Sequence, residues 1–590
     1  MSPDRRFLRP ALSAVVVLLG LAPAAGATPI PESPDANNSP AFIGRPAVQR
    51  PLFAPHPPRH PFMAPNERSN LHVDAYQTDV NPLPGPLGRA VQRLSTSQFA
   101  DCASVTLDSR GRIVVVCVGL QGPAAGGAGL YMFDRRTLAT LAKFDLPPRQ
   151  PGIATDLFTD FAGGGYFYLD NHDRAVIPTT TRHVFVVGET PGPGFALRRD
   201  YDLTGVVPSG DKIISALPDW SGRIWAVSKA GVVVTIDPRT GALRSRALKE
   251  KVGNSIAVDD ARAVYVVSDA ALYRLYAGGD GAPRVRWRRT YANDGRMKPG
   301  QTEVGSGTTP TVMTAGPWVT ITDNADPIDV VVYDRRTGAR ICSVPVFKRG
   351  ASDTDQSLIA VGNAIVAENN YGYSGPAATE QGKSTTPGLE RVDVRPGGHG
   401  CRKVWHSNEI APSVVPKASL ANGLLYTYTK PAGERSDPWY LTALDFRTGR
   451  TVFKARAGAG LGFNNNYAPV TIGPDGTAYV GTLGGLVAVR DLHAPRPPRL
   501  RLFLRLRYRR GPGRCSRSNV LADVVGRDAH GAVRATFLVD SRRVGHRRAP
   551  LRFLFRRATL TRGHTATLSA RLVLADGRRL TRRRRVRPCG

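Results

Sequence analysis

Three consecutive asparagines, Asn464, Asn465 and Asn466, followed by Tyr467, stand directly before a strand-like run in "GFNNNYAPVTIGPDGTAYVGTLGG". Asparagine offers donors and acceptors without charge, a set that suits sugar hydroxyls, amides or a coordinated cation. Segments of similar character recur upstream. They are "TDLFTDFAGGG" with Asp160, "GQTEVGSGTTP" with Glu303, "TDNADPID" with Asp323, Asn324 and Asp326, and "KRGASDTDQS" with Asp353 and Asp355. The longest, "ENNYGYSGPAATEQGKSTTPG", carries Glu368, Asn369, Asn370, Tyr371 and Tyr373. Aspartate with asparagine oxygens is a calcium-ligand set, which makes Asp323 and Asp326 candidate calcium ligands, although the DxDxDG spacing of a calcium loop is absent. Tyr371, Tyr373, Tyr467 and Trp439 could stack on sugar rings or peptides. Taken singly, such residues more often cap turns or pack between sheets; the case for function is their concentration in one class of loop.

The elements that position them follow a repeat. An aspartate turn closes an apolar strand in "YMFDRRTLA", "VTIDPRTGA", "VVYDRRTGA" and "TALDFRTGR", at Asp134, Asp237, Asp334 and Asp445, with degenerate copies between. The underlying period is about fifty residues, the length of one four-stranded blade of a β-propeller. One unit reads as the strands "TPTVMTAG", "PWVTITDN", "DVVVYDRRTG" and "RICSVPVF", rich in β-branched residues between Gly, Pro, Asn and Asp breakers. The expected fold is all-β: an eight-bladed β-propeller over residues 71–492, with seven blades as the rival count. The last unit has only three strands of its own, and a strand from residues 71–95 is expected to close it.

In such a blade the loops between strands one and two, and three and four, share one end. Here they are terse: "DSRGR", "DNHD", "DWSGR", "GPDGT" and the Asp-Thr-Gly turns. The loops between strands two and three, and those entering the next blade, are the long polar ones. Long loops confined to one end of a rigid scaffold mark a binding face.

"ALDFRTGRTVF" resembles the A-x-D-x-x-T-G-x-x-x-W turn repeat of quinoprotein alcohol dehydrogenase-like propellers, through Ala443, Asp445, Thr448 and Gly449. Phe453 stands in the tryptophan position, and other copies have Ser245 and Cys342 there. The resemblance spans residues 90–492 and implies the architecture. Enzymes of that family use a pyrroloquinoline quinone (PQQ) polarised by calcium, a disulfide between adjacent cysteines and a tryptophan floor. This chain has no adjacent cysteines and no haem-attachment CxxCH, so PQQ is not expected. No GxSxG, HExxH or Walker pattern points to another enzyme class, and no catalytic residue is assigned.

Flanking segments complete the plan. Arg5, Arg6 and Arg9, an apolar run over residues 11–21 and Ala25-Gly26-Ala27 read as a signal peptide over residues 1–27. Residues 28–70, with "PLFAPHPPRHPFMAP", read as a proline-rich linker, and "HAPRPPR" marks a short one at 493–500. Residues 501–590 alternate apolar residues with Arg or Thr and read as a small immunoglobulin-like β-sandwich. They hold 25 arginines, no lysine and four aspartates, about +21 of the formal +33. Such a domain suits an anionic envelope polymer, lipid head groups or, least well since no nucleic-acid motif accompanies it, nucleic acid; an arginine-rich coding bias on solvated strand faces gives the same excess.

Six cysteines in an exported chain invite disulfides. A turn at Ser109-Arg110 places Cys102 opposite Cys117. Cys515 and Cys589 bracket the last segment, which leaves Cys342 and Cys401 to each other by elimination only. The functional expectation is a secreted or periplasmic, non-catalytic propeller that binds a glycan, peptide or protein partner at its long-loop face, with a basic domain on the cell envelope. The alternative is a quinone- and calcium-dependent oxidoreductase.

Overall fold

The computed structural model describes residues 27–120, 125–148, 158–496, 498–561 and 563–590; apart from Ala27, the expected leader lies outside them. Among these residues the chain is all-β, with short 3-10 turns and no α-helix.

The aspartate turns build the hairpins. Asp334 Oδ1 accepts the N–H groups of Arg336 and Thr337, both at 2.9 Å, and the Thr337 hydroxyl at 3.1 Å. Asp134, Asp237 and Asp445 repeat the arrangement. The turn ends on a left-handed residue: Gly241, Gly338 and Gly449 have φ near +70°, at 76°, 73° and 70°. In the first copy Leu138 occupies that conformation, at φ 58°.

Seven antiparallel sheets follow one another along the chain, from Ala100–Cys102 to Thr451–Ala459, each with its strands side by side in chain order. An eighth pairs Val470–Ile472, Ala478–Thr482 and Gly485–Asp491 with Val91–Ser97, which lies antiparallel on the outer edge from Val91 opposite Asp491 to Ser97 opposite Gly485. The innermost strands contact one another across sheets, through bridges such as Tyr166 to Ser215 and Val415 to Pro469. The result is a β-propeller whose blades bury Val, Ile, Leu and aromatic side chains between their faces.

Residues 28–90 depart from expectation. The proline-rich stretch is extended but does not hang free: it is laid over the short-turn end of the ring. Phe42–Gly44 adds to the outer strand Thr451–Ala459, and Leu52 N–H bonds Leu420 O at 2.8 Å. Ala64 N–H bonds Leu169 O at 2.9 Å, and Ala47, Ala54, Met63 and Ala64 are buried. Prolines lack a donor and hold the chain extended, which fits a strap better than a spacer. The closing strand is Val91–Ser97; the part of 71–95 before it turns into the central channel.

The two expected disulfides, Cys102–Cys117 and Cys515–Cys589, form, and Cys342–Cys401, which the sequence leaves open, is a third. Cys102 faces Cys117 in register, but nearer the turn Leu107 faces Ile113. The offset of one residue is absorbed at 103–105, where the innermost strand breaks. Cys342 and Cys401 lie on the outermost strands of consecutive sheets and staple them. Residues 501–590 form two sheets, of three and four strands, around Leu504, Val520, Phe537, Phe555, Leu568 and Leu572. Phe53 of the strap packs edge-on against His530, with ring centroids 5.2 Å apart, and ties this sandwich to the ring.

Candidate channel site

The channel is filled from the short-turn end by a loop of the N-terminal segment. Its backbone carbonyls radiate outward. Ala75, Tyr76, Thr78 and Asp79 accept the N–H groups of Val258, Val312, Ala360 and Ala418 at 2.8–3.0 Å, one from each of four successive innermost strands. The loop also bonds itself. Asp74 accepts Tyr76 N–H at 2.9 Å and the Thr78 hydroxyl at 2.5 Å, and Asp79 N–H returns to His72 O at 3.2 Å. Val73, Gln77 and Asp79 sit at positive φ, 79°, 60° and 57°. For a β-branched valine that is a strained conformation held by its surroundings.

Above this loop, toward the long-loop end, lies a narrow cavity of about 40 Å³ measured for the centre of a water-sized sphere. That is room for an end group of about three heavy atoms. Leu71 and His72 form its floor; Asp101, Asp160, Tyr166, Asp355, Ser357, Asn466 and Tyr467 are among its walls. The long loops cross-link over it. The Tyr467 ring meets Phe161 and Tyr373 edge-on at 5.1 and 5.2 Å, and its hydroxyl donates to Gly300 O at 3.1 Å. The Tyr373 hydroxyl lies 3.0 Å from both Asn464 Oδ1 and Asn466 Oδ1. Asn466 and Tyr467 are consecutive residues at positive φ, 37° and 68°. Asparagine tolerates that conformation and tyrosine does not, so the turn is held by these bonds.

The structure therefore divides the expected site residues. Asp160, Asp355, Asn466 and Tyr467 line the cavity. Asn464, Asn465, Asn369 and Asn370 stand behind it as braces: Asn464 Nδ2 donates to Thr379 at 2.9 Å, Asn465 Nδ2 to Ala468 O at 3.0 Å, and Asn369 Nδ2 to Ala351 O at 3.0 Å. Asn370 joins Glu368 Oε1 at 3.1 Å to Pro412 O at 3.1 Å and accepts Asp355 N–H at 2.9 Å. Asp353 is fully buried, and neither of its carboxylate oxygens has a hydrogen-bond partner. Asn324 is locked between Gln301 and Asn293. Asp323 accepts the backbone N–H groups of Ala325 and Asp329 at 3.1 and 2.7 Å, and Asp326 that of Gly350 at 2.6 Å. This is turn chemistry rather than an open chelate, and among the described residues no cluster of three His, Cys, Asp or Glu side chains suits a metal. Glu303 pairs with Lys229. Tyr371 is half-buried in its loop, and Trp439 is a core residue, stacked on Tyr428 at 5.5 Å and 1% exposed.

Sequence reasoning missed His72. Its Nδ1 lies 3.2 Å from both oxygens of Asp79 and 2.8 Å from Ser357 Oγ, its Nε2 has no hydrogen-bond partner, and the residue lines the cavity. Asp79 is also bound by Lys417 Nζ at 2.6 Å. Burial holds the imidazole below its ordinary pKa although Asp79 pulls the other way, a direction that favours the neutral ring; a neutral ring with Nδ1–H turned to Asp79 carries its lone pair on Nε2. Burial drives the Lys417 pKa down against Asp79. Asp79 itself stays below the usual carboxylate value because Lys417 and His72 outweigh its burial. On the wall, Asp160 Oδ2 meets Lys212 Nζ at 2.5 Å. Asp355 takes the Thr302 hydroxyl on Oδ2 at 2.7 Å and leaves Oδ1 unpartnered; burial pushes its pKa up to about 7. Asp353 and Glu368 are pushed well up by burial as well.

No family model matches the chain. An uncharacterized protein of Archaeoglobus fulgidus is 29% identical over 316 residues, 48% of this chain and 61% of the relative, so the match spans less than two thirds of that protein. Among solved structures, BamB from Moraxella catarrhalis is similar at 15% identity, with 65% of this chain and 95% of that one covered and a TM-score of 0.42. A europium-containing methanol dehydrogenase is similar at 11% identity, with 71% and 97% covered and a TM-score of 0.45. The quinohemoprotein alcohol dehydrogenase ADHIIG from Pseudomonas putida HK5 is similar at 10%, with 76% and 84% covered and a TM-score of 0.44. The fold stated above rests on the chain's own sheets.

Proposed function

We propose that the protein is an exported, non-catalytic propeller of eight blades over residues 71–492 that takes a glycan, peptide or protein partner at its long-loop end. The observation that carries this reading is convergence: four loops, those of Tyr467, Phe161, Tyr373 and Gly300, meet over one cavity, while residues 28–70 are laid over the other end. A face bound to its own chain is not free to bind another. Three disulfides fit an oxidising compartment.

The sandwich of residues 501–590 is read as an immunoglobulin-like domain that holds the protein to anionic envelope polymer. On its four-stranded sheet Arg534 faces Val573, Arg571 faces Thr536 and Arg579 faces Val573, so these arginines share one surface trough. Among the described residues no carboxylate lines it, and its cations remain open to a polyanion.

For the quinone alternative, a fused three-ring cofactor would have to share the axis of the ring with the N-terminal loop, whose carbonyls bond four innermost strands. A glycan and peptide array probed with the exported protein tests the main reading; the expected result is binding that Tyr467→Ala removes. Absorbance changes on adding PQQ and calcium, with alcohol-dependent dye reduction, would overturn it.

A further inference from the structure

We infer that the channel cavity is a specific site for a primary ammonium group, held between His72 Nε2 on the floor and Asp355 Oδ1 on the wall. This rests on the binding reading above and names the chemistry of the ligand's tip. Both atoms are buried acceptors without a partner in residues 3% and 5% exposed. Leaving such groups unsatisfied costs about 1–3 kcal/mol each, so they mark a place for a donor. An ammonium brings three.

Charge selects the cation over a neutral hydroxyl. Three carboxylates line the cavity, Asp101, Asp160 and Asp355, and among the described residues no lysine or arginine lines it. Lys212 answers Asp160, and Lys417 is engaged by Asp79 beneath the floor. The described lining therefore carries acidic side chains and no lysine or arginine in a chain of net charge +33, and Asp355 adds its charge as pH rises through about 7. Its size admits an aminoethyl tip and excludes a guanidinium with its substituents or a sugar ring. The edges of Phe161, Tyr166 and Tyr467 supply apolar contact for the methylenes behind the nitrogen. A metal ion is a poorer match, because the described residues hold no cluster of three ligands.

The site is conditional on the N-terminal segment. His72 reaches the cavity only because residues 69–81 occupy the channel, and Asp79 with Lys417 fixes the ring so that Nε2 points away from them.

The experiment uses the full exported chain and calorimetry with three ammonium probes: putrescine, a peptide ending in unmodified lysine, and glucosamine. Each is paired with an uncharged counterpart: butanediol, the acetyllysine peptide and N-acetylglucosamine. The groups facing Asp355 are Thr302, Glu303, Asn254, Tyr166 and Asp353, with His72 across the cavity. A carboxyl of pKa about 7 goes from roughly a tenth to nine tenths ionised between about pH 6 and pH 8, so ammonium affinity should rise about tenfold over that range. Putrescine and the lysine peptide are expected to bind, with glucosamine excluded by its ring. The Asp355→Asn variant should bind at least tenfold more weakly and without the pH dependence. The ¹⁵N resonance of His72 Nε2 should shift on binding in the wild type, a readout independent of folding. Equal binding of amines and diols, or amine binding unchanged in Asp355→Asn and His72→Gln variants whose thermal unfolding is intact, overturns the inference. Silence with every amine while array ligands still bind the loop face refutes the ammonium site alone; silence in both refutes the binding reading as well.

Discussion

Asp79 and His72 hold each other twice: the Asp79 N–H donates to the His72 carbonyl at 3.2 Å, and the Asp79 carboxylate lies 3.2 Å from His72 Nδ1. The eight residues from His72 to Asp79 are thereby closed into a loop at the axis of the ring. Lys417, from the seventh sheet, completes the arrangement at 2.6 Å from Asp79.

Removing one partner of that buried pair should be severe. Asp79→Ala leaves Lys417 charged and unmatched in a site 1% exposed, and an expected loss of about 3–5 kcal/mol follows. Adding Lys417→Met to it should recover much of the loss, since the lone buried charge is gone. Urea unfolding of the single and double variants measures both; a double variant no more stable than the single one counts against the pair as the reason.

Asp355 predicts a pH dependence of stability. Its pKa is raised from an ordinary carboxyl value to about 7, so between about pH 4 and pH 7 the folded chain holds a proton that the unfolded chain releases. Stability contributed by the protonated form is present below about pH 4 and is lost as pH rises through 7. Asp355→Asn escapes that loss. The variant should match the wild type near pH 4 and exceed it near pH 8, by at most about 4 kcal/mol. Melting temperature against pH, compared for the two proteins, checks the sign.

Trp439 and Tyr467 should separate core from site. Trp439→Ala opens a void beside Tyr428 and costs about 3–5 kcal/mol. Tyr467→Ala removes the ring on which the loops converge and should abolish ligand binding at a smaller cost in stability. Calorimetric binding with thermal unfolding distinguishes them, and the reverse pattern would move the site elsewhere.

The Cys342–Cys401 bond joins two outer strands 59 residues apart in sequence. Replacing both cysteines by serine should destabilise by about 2–4 kcal/mol, chiefly by releasing the unfolded chain. Unfolding of the variant beside the wild type, both without reductant, tests this.

Adhesion should follow the sandwich. Arg534, Arg571 and Arg579 replaced together by alanine are expected to weaken binding to a phosphate-rich envelope polymer. The wild-type affinity should fall with salt, because the contacts are exposed charges. Salt-independent adhesion in both proteins would remove the polyanion reading.

What the sequence disclosed is what repeats. The Asp-Thr-Gly turns set the hairpins because Asp334 and its counterparts satisfy the same backbone donors each time, and the missing outer strand was visible as a deficit in the last unit. The channel loop left no such trace. Residues 69–81 neither alternate nor repeat, and their partners, Val258 through Ala418, lie hundreds of residues away. The one available signal was compositional: His72, Asp74, Gln77 and Asp79 crowd a stretch without the glycines of an ordinary surface turn. The asparagine triplet was legible as a place but not as a division of labour, since adjacent residues at positive φ send Asn466 to the cavity and Asn465 back to its own turn.

The axial loop also constrains how the molecule can be made. The stretch near residue 75 precedes every blade along the chain, yet Asn81 finds its partner at Ile472, 391 positions later. Such long-range closure is slow and cooperative. A nascent chain therefore carries its own hub before any spoke exists, and a product truncated at any intermediate blade is left as an open arc around an unmet hub, a species for proteases rather than a smaller working wheel.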